Sequence, residues 1–145
     1  MAAGAGLACA AAAEPVGNRP QSLVLGDWIE SRIVGSARCS DDPQAICTDA
    51  LVEARIVVVA TVAGRRVPSP LSVRFIAHVP PRRGERRWLV VARGHPRRAW
   101  PAFLVDGTGA ERDREICVSR EEMRLFGGAP PDGGEARGDD VCYRP

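Results

Sequence analysis

A chain of 145 residues favours one domain with one core and leaves little room for a second. Its hydrophobic content of 45% is ordinary for a globular protein, whereas 15 glycines and 12 prolines favour many short elements over a few long helices. The formal net charge of +2 hides an uneven distribution, because residues 55–98 are strongly basic and residues 106–140 lean acidic. All 20 basic residues are arginine, which is typical of a GC-rich genome.

The N-terminal residues 1–13 are small and apolar, and Glu14 and Pro15 follow them. This stretch resembles the end of a secretory signal peptide with an A-x-A cleavage site, although the basic n-region is absent. We favour the remnant of a signal peptide, in a protein whose true start lies upstream of Met1. A disordered Ala-rich tail is the alternative. Residues 14–22 read as an extended leader. Elsewhere no apolar run reaches the roughly 18 residues of a membrane helix, so we expect no membrane span.

Residues 27–35 fit two structures. Asp27 and Glu30 are spaced as a helix-capping box, which favours a short helix. The alternation of Ile29 and Ile33 with polar residues also fits a strand. We predict the helix.

Strand-like segments follow, and the first of them is dense in β-branched Val and Ile. It is apolar on both faces at its centre, which fits a closed barrel or a sandwich better than a sheet with one wet face. Glycine and proline separate the segments, as they do in antiparallel meanders. The sequence therefore predicts a mainly β fold, a small five-stranded OB-like Greek-key barrel within residues 23–128, with one or two short helices. The five predicted strands are residues 51–62, 71–79, 87–92, 100–105 and 114–118.

A short helix is predicted after the last strand. Ser119 at the N-cap and Glu122 three residues later form a capping box, and Gly127 and Gly128 end the helix. Residues 129–145 are rich in Gly, Pro and acidic residues. We predict that they form a mobile tail that Cys142 ties back to the domain.

The cysteines predict an oxidising compartment. Apart from Cys9 in the signal-like stretch, the chain has Cys39, Cys47, Cys117 and Cys142, an even number that favours disulfides and a periplasmic or secreted protein. Of the three possible connectivities we favour Cys39–Cys47 with Cys117–Cys142, because each bridge closes a loop containing Asp, Pro or Gly. The close ligand spacings of metal sites are absent, so we predict no metal and no cofactor.

Residues 51–92 resemble the opening strands of secreted OB barrels of the netrin and tissue-inhibitor type. In those proteins an Ala-Arg-Ile-Val-Val-Val segment, here residues 54–59, leads to a Gly turn and then to an aromatic-bearing strand. The Cys-x-Cys start of the inhibitors is absent, so the resemblance implies no protease-blocking edge. It implies a fold and leaves the function open, with the overall character of a bacterial exported protein.

The strongest functional signal is a dense group of arginines, opposed within its span only by Glu85. Such a group can bind phosphates or another polyanion, with Trp88 or Trp100 as a stacking surface, as OB grooves do. The alternative is an ordinary solvated surface in a chain that uses arginine for every cation. The arginines are Arg82, Arg83, Arg86, Arg87, Arg93, Arg97 and Arg98.

We predict a non-catalytic exported binding module of the bacterial cell envelope that contacts an anionic partner, such as a lipid headgroup or a polysaccharide, through these arginines. The alternative is an OB-type nucleic-acid or polyanion binder that uses the same residues, and export argues against nucleic acid. The last alternative is a hydrolase, which would need a nucleophile and an acid beside an imidazole. The candidate imidazoles are His78 and His95, around which Ser69, Ser72, Asp49 and Asp106 could be recruited. His95 lies in a loop, and no G-x-S-x-G motif supports catalysis.

Overall fold

The computed structural model describes residues 19–36, 49–105, 115–125 and 127–145. The predicted signal-peptide remnant and the predicted Cys39–Cys47 bridge lie outside the described residues. Within those residues, no helix has the length and apolar character needed to cross a membrane. The elements are β1 (Gln21–Ser36), β2 (Ala50–Ala63), β3 (Leu71–Ala77), β4 (Arg86–Ala92), β5 (Trp100–Leu104), β6 (Ile116–Ser119), α1 (Arg120–Leu125), β7 (Glu135–Arg137) and β8 (Asp140–Tyr143).

Five strands close into a barrel in the order β1-β2-β3-β5-β4. Neighbouring strands are antiparallel except β3 and β5, which run parallel. The strand order departs from the chain order because β4 lies between β5 and β1, as in a Greek key. The predicted mainly β, OB-like five-stranded barrel is therefore confirmed. Four of its strands, β2 to β5, are the first four predicted ones.

The predicted helix at residues 27–35 is wrong, because these residues lie in β1, which pairs with β2 up to Ser36. Asp27 does not cap a helix; it accepts two hydrogen bonds from Arg86 of β4, at 2.6 and 3.0 Å. Trp28 fills the barrel interior, where its ring stands edge-on to that of Phe75 with the centroids 5.7 Å apart. Pairing on both sides of the strand thus overrides a local capping signal.

The last predicted strand, residues 114–118, does not belong to the barrel. Its counterpart, β6, pairs with β8 in a separate three-stranded sheet of order β6-β8-β7. The barrel takes β1 as its fifth strand instead. Residues 129–145 are accordingly not a simple mobile tail, since they contain both β7 and β8. We call α1, β6, β7 and β8 the C-terminal layer.

The C-terminal layer carries two predictions that the structure confirms. The disulfide Cys117–Cys142 joins register partners of β6 and β8, whose Cα atoms lie 4.0 Å apart. The bridge spans 25 residues in sequence, for which loop closure contributes about 3 kcal/mol. At the start of α1, Glu122 N donates to Ser119 Oγ at 3.2 Å, as in the predicted capping box.

The wall of the barrel separates two apolar clusters. Side chains alternate along β1 and β4, so that Val24 and Leu89 point into the barrel while Leu25 and Val90 point outward. The outward residues pack against the C-terminal layer, in which Ile116 is fully buried. Both faces of β1 and β4 are therefore buried where they pair, which explains their continuous apolar runs.

Gly64 follows β2 in a conformation that only glycine adopts readily. Its φ is +80°, and a Cβ at this position would lie 2.1 Å from the backbone oxygen of Gln21. Gly84 has a similar φ of +86°, but a Cβ there would meet no atom within 4 Å. The two glycines share the backbone strain and differ only in the space around them.

We predict that Gly64→Ala destabilises the fold far more than Gly84→Ala. The strain of a left-handed residue costs roughly 1–2 kcal/mol in both variants. At Gly64 a steric clash with backbone adds about 1–3 kcal/mol or more. Denaturant unfolding of the two variants measures the difference, and equal free energies of unfolding would contradict the tight contact between Gly64 and the start of β1.

Tyr143, the only tyrosine of the chain, is buried in the cluster beneath the C-terminal layer. Its hydroxyl donates to the carbonyl oxygen of Pro131 at 2.5 Å. Burial, followed by the negative charge of Asp132, raises the pKa of Tyr143 to about 12. The neutral phenol is therefore the form that the fold stabilises.

We predict that tyrosinate absorbance in the near ultraviolet rises with a midpoint near pH 12 in the native protein and near pH 10 in denaturant. Because the folded-state pKa is the higher one, this contribution to stability is complete below about pH 10 and is lost as the pH rises towards about 12. The single tyrosine makes the signal unambiguous. A native midpoint near 10 would contradict the buried hydroxyl.

Candidate functional site

A groove with a volume of about 1550 Å³ opens where β2 and β4 end and where β1, β3 and β5 begin. The β2–β3 loop (residues 64–70) and the β4–β5 loop (residues 93–99) both contribute to its lining. Polar side chains of β1, β2 and β3 extend the same surface. We call it the arginine groove, after Arg19, Arg32, Arg65, Arg66, Arg74, Arg93, Arg97 and Arg98 in its lining.

The β2–β3 loop is held to the barrel at three points. Ser22 Oγ donates to the carbonyl oxygen of Arg65 at 2.6 Å, and Val58 N donates to Ser69 Oγ at 3.0 Å. Between these bonds the side chain of Val67 is buried in the barrel core. The backbone is thus fixed, while both arginines of the loop extend into solvent.

The β4–β5 loop is shaped by His95. Arg97 N donates to His95 Nδ1 at 3.2 Å, and Arg98 N donates to the His95 carbonyl oxygen at 3.1 Å. Because Nδ1 is the acceptor, the neutral imidazole carries its proton on Nε2. At the start of the loop, Arg93 N donates to the carbonyl oxygen of Pro20 at 2.9 Å. His95 therefore holds the turn that presents Arg97 and Arg98.

Neither Trp88 nor Trp100 presents an exposed ring for stacking, because both side chains are buried. Trp88 is 1% exposed and lies outside the barrel wall, in the cluster beneath the C-terminal layer. Trp100 is 8% exposed, and Gly94 packs so closely on it that a Cβ would lie 2.8 Å from Trp100 Cδ1. Phe75, the other aromatic ring of the lining, is buried in the barrel core. Among the described residues, no exposed Phe, Trp or Tyr lines the groove.

The fold divides the predicted group of arginines. The last three members lie in the β4–β5 loop and line the groove, and the first four do not. Of those four, Arg86 is bound to Asp27, and Arg87 Nη1 lies 3.6 Å from a carboxylate oxygen of Glu85. The groove members are Arg93, Arg97 and Arg98, and the others are Arg82, Arg83, Arg86 and Arg87.

Sequence reasoning missed more than half of the groove arginines. Arg65 and Arg66 form a pair next to a predicted glycine turn, and that signal was available. Arg32 and Arg74 are single residues whose position depends on strand register, because Arg32 and Arg74 both face Glu53 of β2. Nothing local in the sequence distinguishes them from other strand arginines.

Among the described residues, Glu53 is the only acidic one in the lining, and it connects its two flanking arginines. Glu53 Oε2 lies 2.7 Å from Arg32 Nη2, and Glu53 Oε1 lies 2.5 Å from Arg74 Nη2. The hydrogen bond from Arg74, and after it the bond from Arg32, lowers the pKa of Glu53 below its ordinary value. We call Arg32, Glu53 and Arg74 the floor triad. It carries two positive charges and one negative charge.

The remaining groove arginines keep their charge unneutralised. Within residues 19–36, 49–105, 115–125 and 127–145, no carboxylate forms an ion pair with any of them. They belong to the two loops and to the segment just before β1. Like charges gathered in this way create a positive potential that attracts anions. These arginines are Arg19, Arg65, Arg66, Arg93, Arg97 and Arg98.

The other candidate sites are less developed. His78 Nδ1 lies 3.8 Å from Asp49 Oδ1 at an exposed position, and no described serine hydroxyl is hydrogen-bonded to the imidazole. Potential metal-ligand atoms of Glu115, Cys117 and Cys142 lie within 4.8 Å of one another. Both sulfur atoms of that group are joined in the disulfide, and the carboxylate already accepts hydrogen bonds from Arg137.

In comparisons with known proteins, no family model, curated protein or solved structure matches the chain. The resemblance of residues 51–92 to netrin-type and tissue-inhibitor barrels thus stays a prediction. The functional argument depends on the groove itself.

We predict that Arg74→Ala raises the pKa of Glu53 more than Arg32→Ala does, because the bond from Arg74 is the larger cause of the lowering. Carbon-detected NMR titration of the Glu53 carboxyl in the two variants measures both values. Since the folded-state pKa is lowered, the triad stabilises the protein above the ordinary glutamate pKa and loses that effect as the pH falls through the folded value. Equal values in both variants would contradict the geometry of the triad.

Proposed function

We propose that the protein is a non-catalytic binding module that holds a linear polyanion in the arginine groove. The observation that carries the proposal is the set of unneutralised arginines on two loops whose backbones are hydrogen-bonded in place. A loop fixed in advance loses little conformational freedom on binding, so its charges contribute more to affinity.

The size and position of the groove support a chain-like ligand. Small-molecule pockets have volumes of roughly 300–1,000 Å³, and the arginine groove, at about 1550 Å³, exceeds them. The β2–β3 surface and the β4–β5 loop are also where OB barrels bind oligonucleotides and oligosaccharides. A polymer with repeated phosphate, sulfate or carboxylate groups can contact both loops at once.

The buried aromatic rings favour an anionic polysaccharide over a single-stranded nucleic acid. OB domains that bind single strands combine positive charge with exposed rings on which bases stack. Here Trp100 and Phe75 lie beneath the groove surface and offer no such face. A ligand that is recognised through its negative charges alone needs no nucleic-acid bases for stacking.

The compartment is part of the same proposal. The Cys117–Cys142 bridge is the kind of bond that persists outside the reducing cytosol. An exported module would meet the acidic polysaccharides of the bacterial cell envelope, which we propose as its partner class. Two titratable side chains of the groove already have partners within the protein. Glu53 is bound to Arg32 and Arg74 in the floor triad, and His95 Nδ1 accepts a hydrogen bond from Arg97 N in the loop turn.

We predict that Arg97→Ala with Arg98→Ala weakens binding to a fluorescent heparin oligosaccharide by about tenfold or more. The slope of log K against log salt should become shallower by about 1 to 2, because contacts that release counterions are lost. Arg82→Ala with Arg83→Ala is the matched control. It removes the same charge from exposed positions of the original sequence cluster that lie outside the groove.

Equal losses in the two double variants would reduce the effect to net charge and would overturn the groove as the site. Absence of salt-dependent binding by the wild type would overturn the function itself. Oligo-dT of matched charge distinguishes the nucleic-acid alternative. Binding of oligo-dT tighter than that of heparin, with a preference among homopolymers, would favour that alternative.

A further inference from the structure

The floor triad differs from the rest of the arginine groove because its charge is already partly neutralised. Glu53 is register partner to both arginines, Arg32 on β1 and Arg74 on β3, so one carboxylate serves three adjacent strands. The carboxylate is 18% exposed, whereas the side chains of Arg32 and Arg74 are 76% and 47% exposed. The acid therefore lies deepest, with an arginine on either side.

We propose that Glu53 determines which anions the groove accepts by closing its floor to them. This inference rests on the proposed polyanion-binding function and concerns the same site. A ligand anion that approached Arg32 or Arg74 would meet the Glu53 charge at close range and would have to replace an existing hydrogen bond. An anion at the β2–β3 loop or the β4–β5 loop meets no such competitor among the described residues.

The consequence is a requirement for ligand length. A short anion finds few arginines within reach on either loop, and at the floor triad it meets an internal counter-ion. A longer chain can contact both loops, so that the second contact is intramolecular and strengthens the first. The triad thus selects for chains over free phosphate or sulfate.

The lowered pKa of Glu53 supports this role, since the carboxylate keeps its negative charge to a lower pH than an ordinary glutamate does. Loss of the Glu53 charge is also expected to change the stability of the fold little. Ion pairs with largely exposed arginines contribute little to folding. Glu53→Gln should therefore leave the barrel intact while it removes the negative charge beside Arg32 and Arg74.

Glu115, just before β6, provides a matched control outside the groove lining. It accepts hydrogen bonds from Arg137, and Arg144 Nε lies 3.5 Å from its Oε2. Glu115 is partly exposed and outside the groove lining. Glu115→Gln therefore changes the net charge by the same amount and also releases two arginines, but at a distance from the proposed site.

The experiment measures binding of inorganic tripolyphosphate and of long-chain polyphosphate to the wild type, Glu53→Gln and Glu115→Gln at one salt concentration. We expect the wild type to prefer the long chain strongly. Glu53→Gln should bind tripolyphosphate about tenfold tighter, as for one charge-assisted hydrogen bond gained, and should gain much less for the long chain. Glu115→Gln should match the wild type for both probes.

The outcomes separate the two proposals. If the wild type binds no long-chain polyphosphate, the proposed function fails. If it binds the chain but Glu53→Gln behaves like Glu115→Gln, the function stands and the role of Glu53 is overturned. Arginine side-chain NMR of the wild type gives a test without mutation. Long-chain polyphosphate should shift the guanidinium signals of Arg97 and leave those of Arg32 and Arg74 unchanged, and the reverse pattern would overturn the closed floor.

Discussion

The closure of the barrel through β1 is the constraint on which the rest of the structure depends. This strand pairs with β2 on one side and with β4 on the other, and register shifts along its ladder with β2 accommodate the bend. At Gly26 it approaches β2 so closely that a Cβ would lie 2.8 Å from Ile56 Cδ1. The groove depends on the same strand. Ser22 holds the β2–β3 loop, and Pro20, just before the strand, holds the β4–β5 loop.

The groove concentrates charge that the fold does not neutralise. Outside the groove, some described arginines have carboxylate partners: Arg86 pairs with Asp27 and Arg137 pairs with Glu115, and the hydrogen bond raises the pKa of each guanidinium. Others, such as Arg82 and Arg83, form no ion pair with a described carboxylate. The loop arginines of the groove form no such pairs. Their mutual repulsion opposes folding, and an anionic ligand would relieve it. This concentration of charge is the feature on which the proposed binding role rests.

Sequence reasoning recovered the parts that local pattern determines. The valine-rich run of β2, the capping box at Ser119 and the Cys117–Cys142 bridge were all predictable. It failed at β1, where two neighbouring strands outweigh the capping spacing of Asp27. It also failed for the groove, because Arg32 and Arg74 meet only through their common partner Glu53. The density of arginines along the sequence instead favoured the stretch that begins at Arg82, in which four of the seven arginines lie outside the groove lining.

The C-terminal layer links the disulfide to the arginine groove, although no residue of the layer lines the groove. It covers the outward apolar side chains of β1 and β4, including Leu23 and Trp88. The bridge between β6 and β8 holds this cover together. Because the outer face of β1 is buried only while the layer is in place, the layer also stabilises the segment to which both groove loops are hydrogen-bonded. The disulfide and the positive groove are thus connected through a single strand, β1.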